Sequence, residues 1–86
     1  MPGVSRKSTD SAGGAISEGS PDVFVDGAAA VRVGDAVTPH GVGPHASPTM
    51  AEGSSTVFVN GIALCRAGDA ASCGHTASGS DDVFAG

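Results

Sequence analysis

The sequence predicts an all-β fold in which three similar hairpin units close around a common axis. A long stretch of the chain is duplicated, which indicates a repeated structural unit. Each full copy has a short β-branched and aromatic run followed by Asp-Gly or Asn-Gly, the dipeptides of tight hairpin turns. No apolar stripe with helical or heptad spacing is present, whereas Gly, Ser and β-branched residues are frequent.

The composition limits the size of the hydrophobic core. The 86 residues include 14 Ala and 14 Gly, while Val, Ile, Leu and Phe together number 16, and Trp and Tyr are absent. Disorder becomes a serious alternative when large apolar residues fall below roughly 20% of a chain. Because so few large side chains must offset a conformational entropy on the order of 100 kcal/mol, we expect a further stabilising element. The candidates are a disulfide, a metal and a partner protein.

Charge and hydropathy exclude several functional classes. No run of about 20 apolar residues is present that could span a membrane. The first seven residues are not followed by the apolar segment of a signal peptide. The formal net charge is −5 with only four basic residues, which argues against nucleic-acid binding. We therefore expect synthesis in the cytoplasm without a signal peptide.

The duplication relates residues 18–36 to residues 52–70, which are identical at 12 of 19 positions. A third, partial copy begins at Gly79. We expect Val4-Ser5-Arg6 to take the part of Val31-Arg32-Val33 and to complete this copy, so that the N- and C-terminal strands pair. The prediction is one domain over residues 1–86, with repeats at approximately 18–41, 52–75 and 79–86, the last completed by residues 3–14.

The two complete hairpins follow from local turn chemistry. The first runs from Val23-Phe24-Val25 through Asp26-Gly27, and the second runs from Val57-Phe58-Val59 through Asn60-Gly61. A two-residue type I′ turn needs positive φ at both central residues, which Asp, Asn and Gly tolerate. We therefore predict the same turn type in both hairpins.

The loops that follow the hairpins contain a candidate metal site formed by His40, His45, Cys73 and His75. Repeat symmetry places both loops at the same end of the molecule. A His₃Cys set suits tetrahedral zinc, because thiolate and imidazole favour zinc over magnesium or calcium, and iron is the alternative metal. The competing interpretation is three solvated His residues. The small core favours the metal, since structural zinc contributes about 10–16 kcal/mol to folding.

Cys65 has a different predicted role from Cys73. It aligns with Val31 inside a strand, so we expect a small, buried apolar residue. A disulfide between Cys65 and Cys73 is the alternative, and it would consume one of the four candidate ligands.

The sequence gives little support for catalysis. Four protein ligands close a zinc site and leave no position open for water. Asp35 and Asp69 occupy equivalent turns, and Glu18 and Glu52 also duplicate each other, which suggests architecture rather than a unique acid–base pair. We therefore expect no enzymatic activity and no catalytic residue.

These motifs resemble the PAAR-repeat family, the spike-tip proteins of type VI secretion systems and contractile phage tails. The resemblance rests on the pattern E-G-S-x-x-V-F-V-(D/N)-G, followed by R-x-G-D and C-G-H, and it covers nearly the whole chain. The eponymous Pro-Ala-Ala-Arg tetrapeptide is degenerate, with Ala28 and Ile62 where proline is usual. In addition, Ala12 precedes Gly13-Gly14 where many relatives have a His.

The resemblance implies a small cone with pseudo-threefold symmetry and a metal-bound apex. The family's zinc ligands, carried onto this chain, are again His40, His45, Cys73 and His75. The base of the cone is expected to sit on a trimeric β-helical spike, a VgrG or phage spike protein, with one chain capping three partner chains. The candidates for this base are Val23, Val25, Val57, Val59 and Val83.

The implied function is mechanical. The tip would cap and sharpen the spike of a phage tail, tailocin or secretion system, be delivered outside the cell and contact a target membrane transiently. Few residues flank the repeats, so we expect no fused effector. The alternatives are a free-standing zinc-stabilised interaction module, a small metallohydrolase, and a chain that folds only on its partner.

Overall fold

The computed structural model describes all 86 residues and shows an essentially all-β chain with very short strands. In the first hairpin, β1 (Phe24–Val25) pairs antiparallel with β2 (Ala28–Ala29), and in the second, β3 (Phe58–Val59) pairs with β4 (Ile62–Ala63). The one helical element is a 3-10 turn at Gly43–His45. Nine isolated β-bridges join other segments. The predicted all-β class is confirmed.

Both hairpins have the turn geometry that their sequences predict. Asp26 and Gly27 have φ values of 53° and 80°, and Asn60 and Gly61 have values of 54° and 77°. Positive φ at both central residues is the hallmark of the type I′ turn, whose twist matches the twist of the flanking strands. The strand register is the same in the two hairpins.

The two ends of the chain pair with each other in the place of a third hairpin. Gly3 bridges Phe84, just as Ala29 pairs with Phe24 in the first hairpin. The N–H of Val4 donates to the carbonyl of Val83 at 2.9 Å. The N- and C-terminal strands therefore close the structure as the sequence predicts, although no turn connects them.

Three backbone hydrogen bonds form a closed ring around the axis that relates the three units. The N–H of Ser5 donates to Cys65, that of Cys65 to Val31, and that of Val31 to Ser5, with N–O distances of 3.1, 2.9 and 3.1 Å. The predicted register of the N-terminal segment is wrong by one residue, because Ser5-Arg6 takes the place of Val31-Arg32. A slip of one residue would turn the buried Val4 away from its core.

Each unit contains an Arg–Asp ion pair beside this ring. The pairs are Arg6–Asp10 at 2.7 Å, Arg32–Asp35 at 3.2 Å and Arg66–Asp69 at 3.0 Å. Each carboxylate also accepts the backbone N–H of its own arginine, so that it closes the turn. These contacts give Asp35 and Asp69 the structural role that was expected. The pattern R-x-G-D does not reveal Asp10, because its spacing from Arg6 is longer by one residue.

Two small hydrophobic cores give the molecule two distinct ends, and its overall dimensions are 32 × 24 × 22 Å. The first core consists of Ala12, Ile16, Val31, Val37, Met50, Cys65, Ala71 and Ala77. The second core consists of Val4, Val25, Ala30, Val59, Leu64 and Ala85.

Both cysteines are free, so the alternative disulfide does not form, and Cys65 is fully buried as predicted. No helix has the length and apolar character needed to cross a membrane.

The second core opens into an apolar concavity of about 470 Å³, which we call the apolar bowl. Its lining includes one residue from the equivalent position of each unit, namely Val4, Ala30 and Leu64. The lining also includes every valine that the sequence assigned to the base, namely Val23, Val25, Val57, Val59 and Val83. The sequence did not reveal that the two chain ends, Met1 and Gly86, complete the same surface.

Candidate metal centre

Two loops beside the first core bring His40, His45, Cys73 and His75 together. Their four potential ligand atoms all lie within 4.8 Å of one another. Nε2 of His40 is 3.0 Å from Nδ1 of His75 and 3.2 Å from Nδ1 of His45. Sγ of Cys73 is 3.6 Å from both Nε2 of His40 and Nδ1 of His75. The structure thus places the four side chains selected from the sequence around one point.

The first loop brings its two His residues together through the 3-10 turn. Gly43 has a φ of 62° and Pro44 follows it inside the turn. The N–H of His45 donates to the carbonyl of Val42 at 3.2 Å, and the N–H of His40 donates to the carbonyl of His45 at 3.0 Å. This last bond closes the loop on itself, and therefore two residues five positions apart can share a site.

The second loop contributes Cys73 and His75 from either side of Gly74. Gly74 has a φ of 92°, a conformation that glycine adopts at little cost. The chain therefore reverses between two neighbouring ligands, and both side chains reach the cluster. Two hydrogen bonds between Ser72 and Thr49 hold this loop beside the first one.

A third segment, Gly13-Gly14, lies directly against the cluster. A Cβ atom on Gly13 would overlap Nδ1 of His75 and would lie 2.7 Å from Nε2 of His40, and a Cβ atom on Gly14 would lie 2.9 Å from Nδ1 of His40. From the sequence these glycines are only a departure from the family pattern. The repeat could have predicted this position. The two ligand loops follow the Arg–Asp turns of the two complete units, and Gly13-Gly14 follows the equivalent turn formed by Arg6 and Asp10.

The orientation of His40 is fixed by a backbone carbonyl. Its Nδ1 lies 2.9 Å from the oxygen of Thr38. Because a carbonyl can only accept a hydrogen bond, this contact favours the tautomer with the proton on Nδ1, in which Nε2 presents a lone pair to the cluster. Such an outer hydrogen bond is the usual support of a metal-ligating His.

The donor set and its distances fit a tetrahedral zinc ion. Bond lengths of about 2.0–2.1 Å for Zn–N and about 2.3 Å for Zn–S require ligand separations of about 3.4 Å between nitrogens and about 3.6 Å between nitrogen and sulfur. Four of the six ligand separations, namely N–N separations of 3.0 and 3.2 Å and two N–S separations of 3.6 Å, are close to these values, and the remaining two lie within 4.8 Å. A metal held by all four side chains would have a closed coordination sphere, the arrangement typical of sites that hold chain segments together rather than activate water.

The chain segments that form and border the cluster carry no charged side chain. Residues 11–17, 36–51 and 70–80 include no Asp, Glu, Lys or Arg. A cation bound at this site would therefore be balanced locally by the Cys73 thiolate alone. This arrangement favours a metal that accepts nitrogen and sulfur ligands over one that requires carboxylate oxygens.

Cys65 is unsuited to metal binding. Its side chain is buried in the first core, and its thiol donates to the carbonyl of Glu52 at 3.2 Å. Burial raises the pKa of this thiol to about 12, and the negative charges of Asp69 and Asp35 act in the same direction. The two cysteines thus differ in environment as the sequence predicts.

Fold and site together define a small all-β protein that has three hairpin-like units, a His₃Cys cluster beside its first core and an apolar bowl formed by its second core. The family model described as PAAR motif matches residues 7–84. The chain therefore belongs to the PAAR motif family, as its sequence motifs indicate. No curated protein matches the chain. The family is associated with spike-tip proteins of type VI secretion systems and phage tails, and it is a structural family that is not known for enzymatic activity.

Proposed function

We propose that this protein is the tip of a contractile injection spike, in which one chain caps the blunt end of a trimeric β-helical protein of the VgrG or phage spike type. The observation that carries the proposal is the apolar bowl, which lies within three similar units of a single chain. The end of a trimer has threefold symmetry. A chain with three similar units therefore offers an equivalent contact to each partner subunit.

Both the spike and its cap have surfaces that are unfavourable when exposed to water. The end of a β-helix exposes strand edges that invite unwanted pairing unless they are covered. The bowl in turn is an apolar surface that is costly to leave in water. Binding of the cap would bury the strand edges of the spike and the apolar bowl in a single interface.

The same proposal assigns a zinc ion to His40 through Nε2, to His45 and His75 through Nδ1, and to Cys73 through Sγ. When bound, the metal would cross-link two loops that the first core only partly stabilises. Structural zinc contributes about 10–16 kcal/mol to folding, which is comparable with the whole stability of a small domain. The cross-link would keep the tip rigid while a contracting sheath drives it through a target membrane.

Reconstitution with a purified trimeric β-helical spike protein tests the proposal. We expect native mass spectrometry to show one chain per three spike subunits, and elemental analysis to show one zinc per chain. Substitution of Val57→Asp places a charge in the bowl and should abolish the complex. Thr9→Asp adds the same charge at an exposed position outside the bowl and the ligand loops, and it should bind like the wild type.

Other outcomes would favour the alternatives. A one-to-one complex with a monomeric partner, insensitive to Val57→Asp, would support a free-standing zinc-stabilised module. A protein that folds fully without any transition metal would contradict the proposed role of the four ligands.

A further inference from the structure

We infer that Phe24, Phe58 and Phe84, here named the outer phenylalanines, form a second docking surface, on which each subunit of a threefold-symmetric partner supplies one apolar pocket. The inference rests on the proposed function, because the partner is the trimeric spike. It goes beyond that function because it assigns a contact outside the bowl at Phe24 and Phe58, continues it to Phe84 in the bowl lining, and states how each partner subunit makes it.

The outer phenylalanines are exposed although they are the largest apolar side chains in the chain. Their exposed fractions are 60%, 57% and 49%. They are the only Phe residues, and the chain has no Trp or Tyr. Each occupies the same position in its unit, opposite Ala29, Ala63 and Gly3 respectively. Three equivalent, solvent-exposed aromatic groups are unusual in a protein that works alone.

Docking in the bowl would leave two of these side chains in water. Neighbouring side chains of a strand point to opposite faces, and Val25 and Val59, which follow Phe24 and Phe58, are buried around the bowl. Phe24 and Phe58 are not part of the bowl lining, whereas Phe84 is one of its lining residues. A partner that covers all three must therefore also contact the outer face of the hairpins.

Comparison of the three copies within this chain shows which positions tolerate change. The buried residues that follow the outer phenylalanines are Val25, Val59 and Ala85, and the bowl positions Ala30, Leu64 and Val4 also differ among the units. The phenylalanine is the same in all three copies. Neighbouring core residues can compensate for a change at a buried position, whereas about half or more of each phenylalanine faces solvent. A contact with a partner that is the same for all three units would explain why each unit keeps its phenylalanine.

The charge around the outer phenylalanines defines the partner further. Asp22 and Asp26 flank the first of them, and Asp81 and Asp82 precede the third. Only Asp26 has an arginine partner, at 3.2 Å from Arg6. Phe58 is flanked by the uncharged Thr56 and Asn60. We therefore expect Lys or Arg beside the pocket of the partner subunit, where it meets an acidic group at Phe24 and at Phe84, and an affinity that falls as the salt concentration rises.

The test uses Phe24→Ala, Phe58→Ala and the double variant, titrated calorimetrically into a purified trimeric β-helical spike protein that binds the wild type. The two phenylalanines occupy the same position in their hairpins, so each single variant should weaken binding by about tenfold, and the double variant by about hundredfold. Zinc content and melting temperature should stay at wild-type values, because both side chains are exposed. Val42→Ala is the control, since it truncates an exposed apolar residue on the first ligand loop and should leave the affinity unchanged.

Several outcomes would overturn the inference. If both single variants bind like the wild type while Val57→Asp abolishes binding, the bowl alone forms the interface, and the proposed function stands without the second surface. Weakened binding in only one of the two single variants would exclude a threefold contact. Self-association of the wild type that either variant abolishes would identify a second copy of this chain as the occupant. If no trimeric spike protein binds the wild type, the proposed function itself fails, and the inference fails with it.

Discussion

Gly13 lies against the imidazole of His75 so closely that a Cβ atom on the glycine would overlap Nδ1 of the ring. The same added atom would be 2.7 Å from Nε2 of His40. The two contacted nitrogens are the ones that face the centre of the His₃Cys cluster. The absence of a side chain at residue 13 is therefore a requirement of the cluster, although residue 13 itself has no ligand atom.

Gly13→Ala should consequently weaken zinc binding by about 10–100-fold, the range found when the groups that support metal ligands are disturbed. The matched control is Gly34→Ala. Both glycines have a positive φ, of 85° and 93°, but an added Cβ at Gly34 meets nothing within 4 Å. Backbone strain of roughly 1–2 kcal/mol is thus common to both variants. Competition with a chromophoric chelator gives the affinities, and equal affinities for the two variants would contradict the steric argument.

The two cysteines should respond differently to removal of their sulfur atoms. Cys73→Ala deletes a proposed ligand, so the purified variant should lack stoichiometric zinc and should melt at the temperature of the chelator-treated wild type. Cys65→Ala removes one buried atom from the first core, which should cost about 1 kcal/mol, or roughly 4–8 °C in melting temperature. Elemental analysis and calorimetry measure both effects. Full zinc occupancy in Cys73→Ala would remove this residue from the ligand set.

Thiol alkylation should also distinguish the cysteines. With a pKa of about 12, only about one Cys65 side chain in ten thousand is a thiolate at pH 8, and the thiolate is the reactive form. We expect iodoacetamide to leave both cysteines unmodified in the zinc-loaded protein. Addition of a chelator should expose Cys73 first, and Cys65 should react only when the whole chain unfolds in urea. Peptide mass spectrometry identifies the modified site, and rapid modification of Cys65 in the folded protein would be inconsistent with its burial.

Stability should depend on pH through Asp10. Burial by itself would raise the pKa of this carboxyl, but hydrogen bonds from Arg6 and Ser78 hold it below its usual value. A lowered pKa in the folded state stabilises the protein above the unfolded value of about 3.9, and this contribution is lost as the pH falls through the folded pKa. Asp10→Asn should therefore reduce the free energy of unfolding by about 1–3 kcal/mol at pH 7. The difference from the wild type should shrink below about pH 4.

Urea titrations at several pH values measure this difference. Because both proteins carry the same His₃Cys cluster, protonation of the cluster contributes equally to each and cancels. Asp81→Asn is the control, since Asp81 is exposed and makes no ion pair. A difference between Asp10→Asn and the wild type that stays constant down to pH 3 would show that the ion pair with Arg6 is not responsible.

The hairpins and the set of candidate ligands could be predicted because both depend on local chemistry. Asp26-Gly27 and Asn60-Gly61 favour positive φ whatever surrounds them, and the duplication places their following loops at one end. The N-terminal register was predicted incorrectly by one residue. Its correct value depends on the buried position of Val4, a property of the closed structure that a short terminal segment does not reveal.

The repeated β architecture, the turn types and the residues with metal-binding chemistry follow from the sequence alone, because backbone preferences and ligand types belong to individual residues. The folded structure was needed to show that Gly13 must lack a side chain, that Met1 and Gly86 line the apolar bowl, and that Phe24 and Phe58 face solvent. These properties arise from distances between segments far apart in the chain. Such distances are set when the three units close around the axis, and no local preference specifies them.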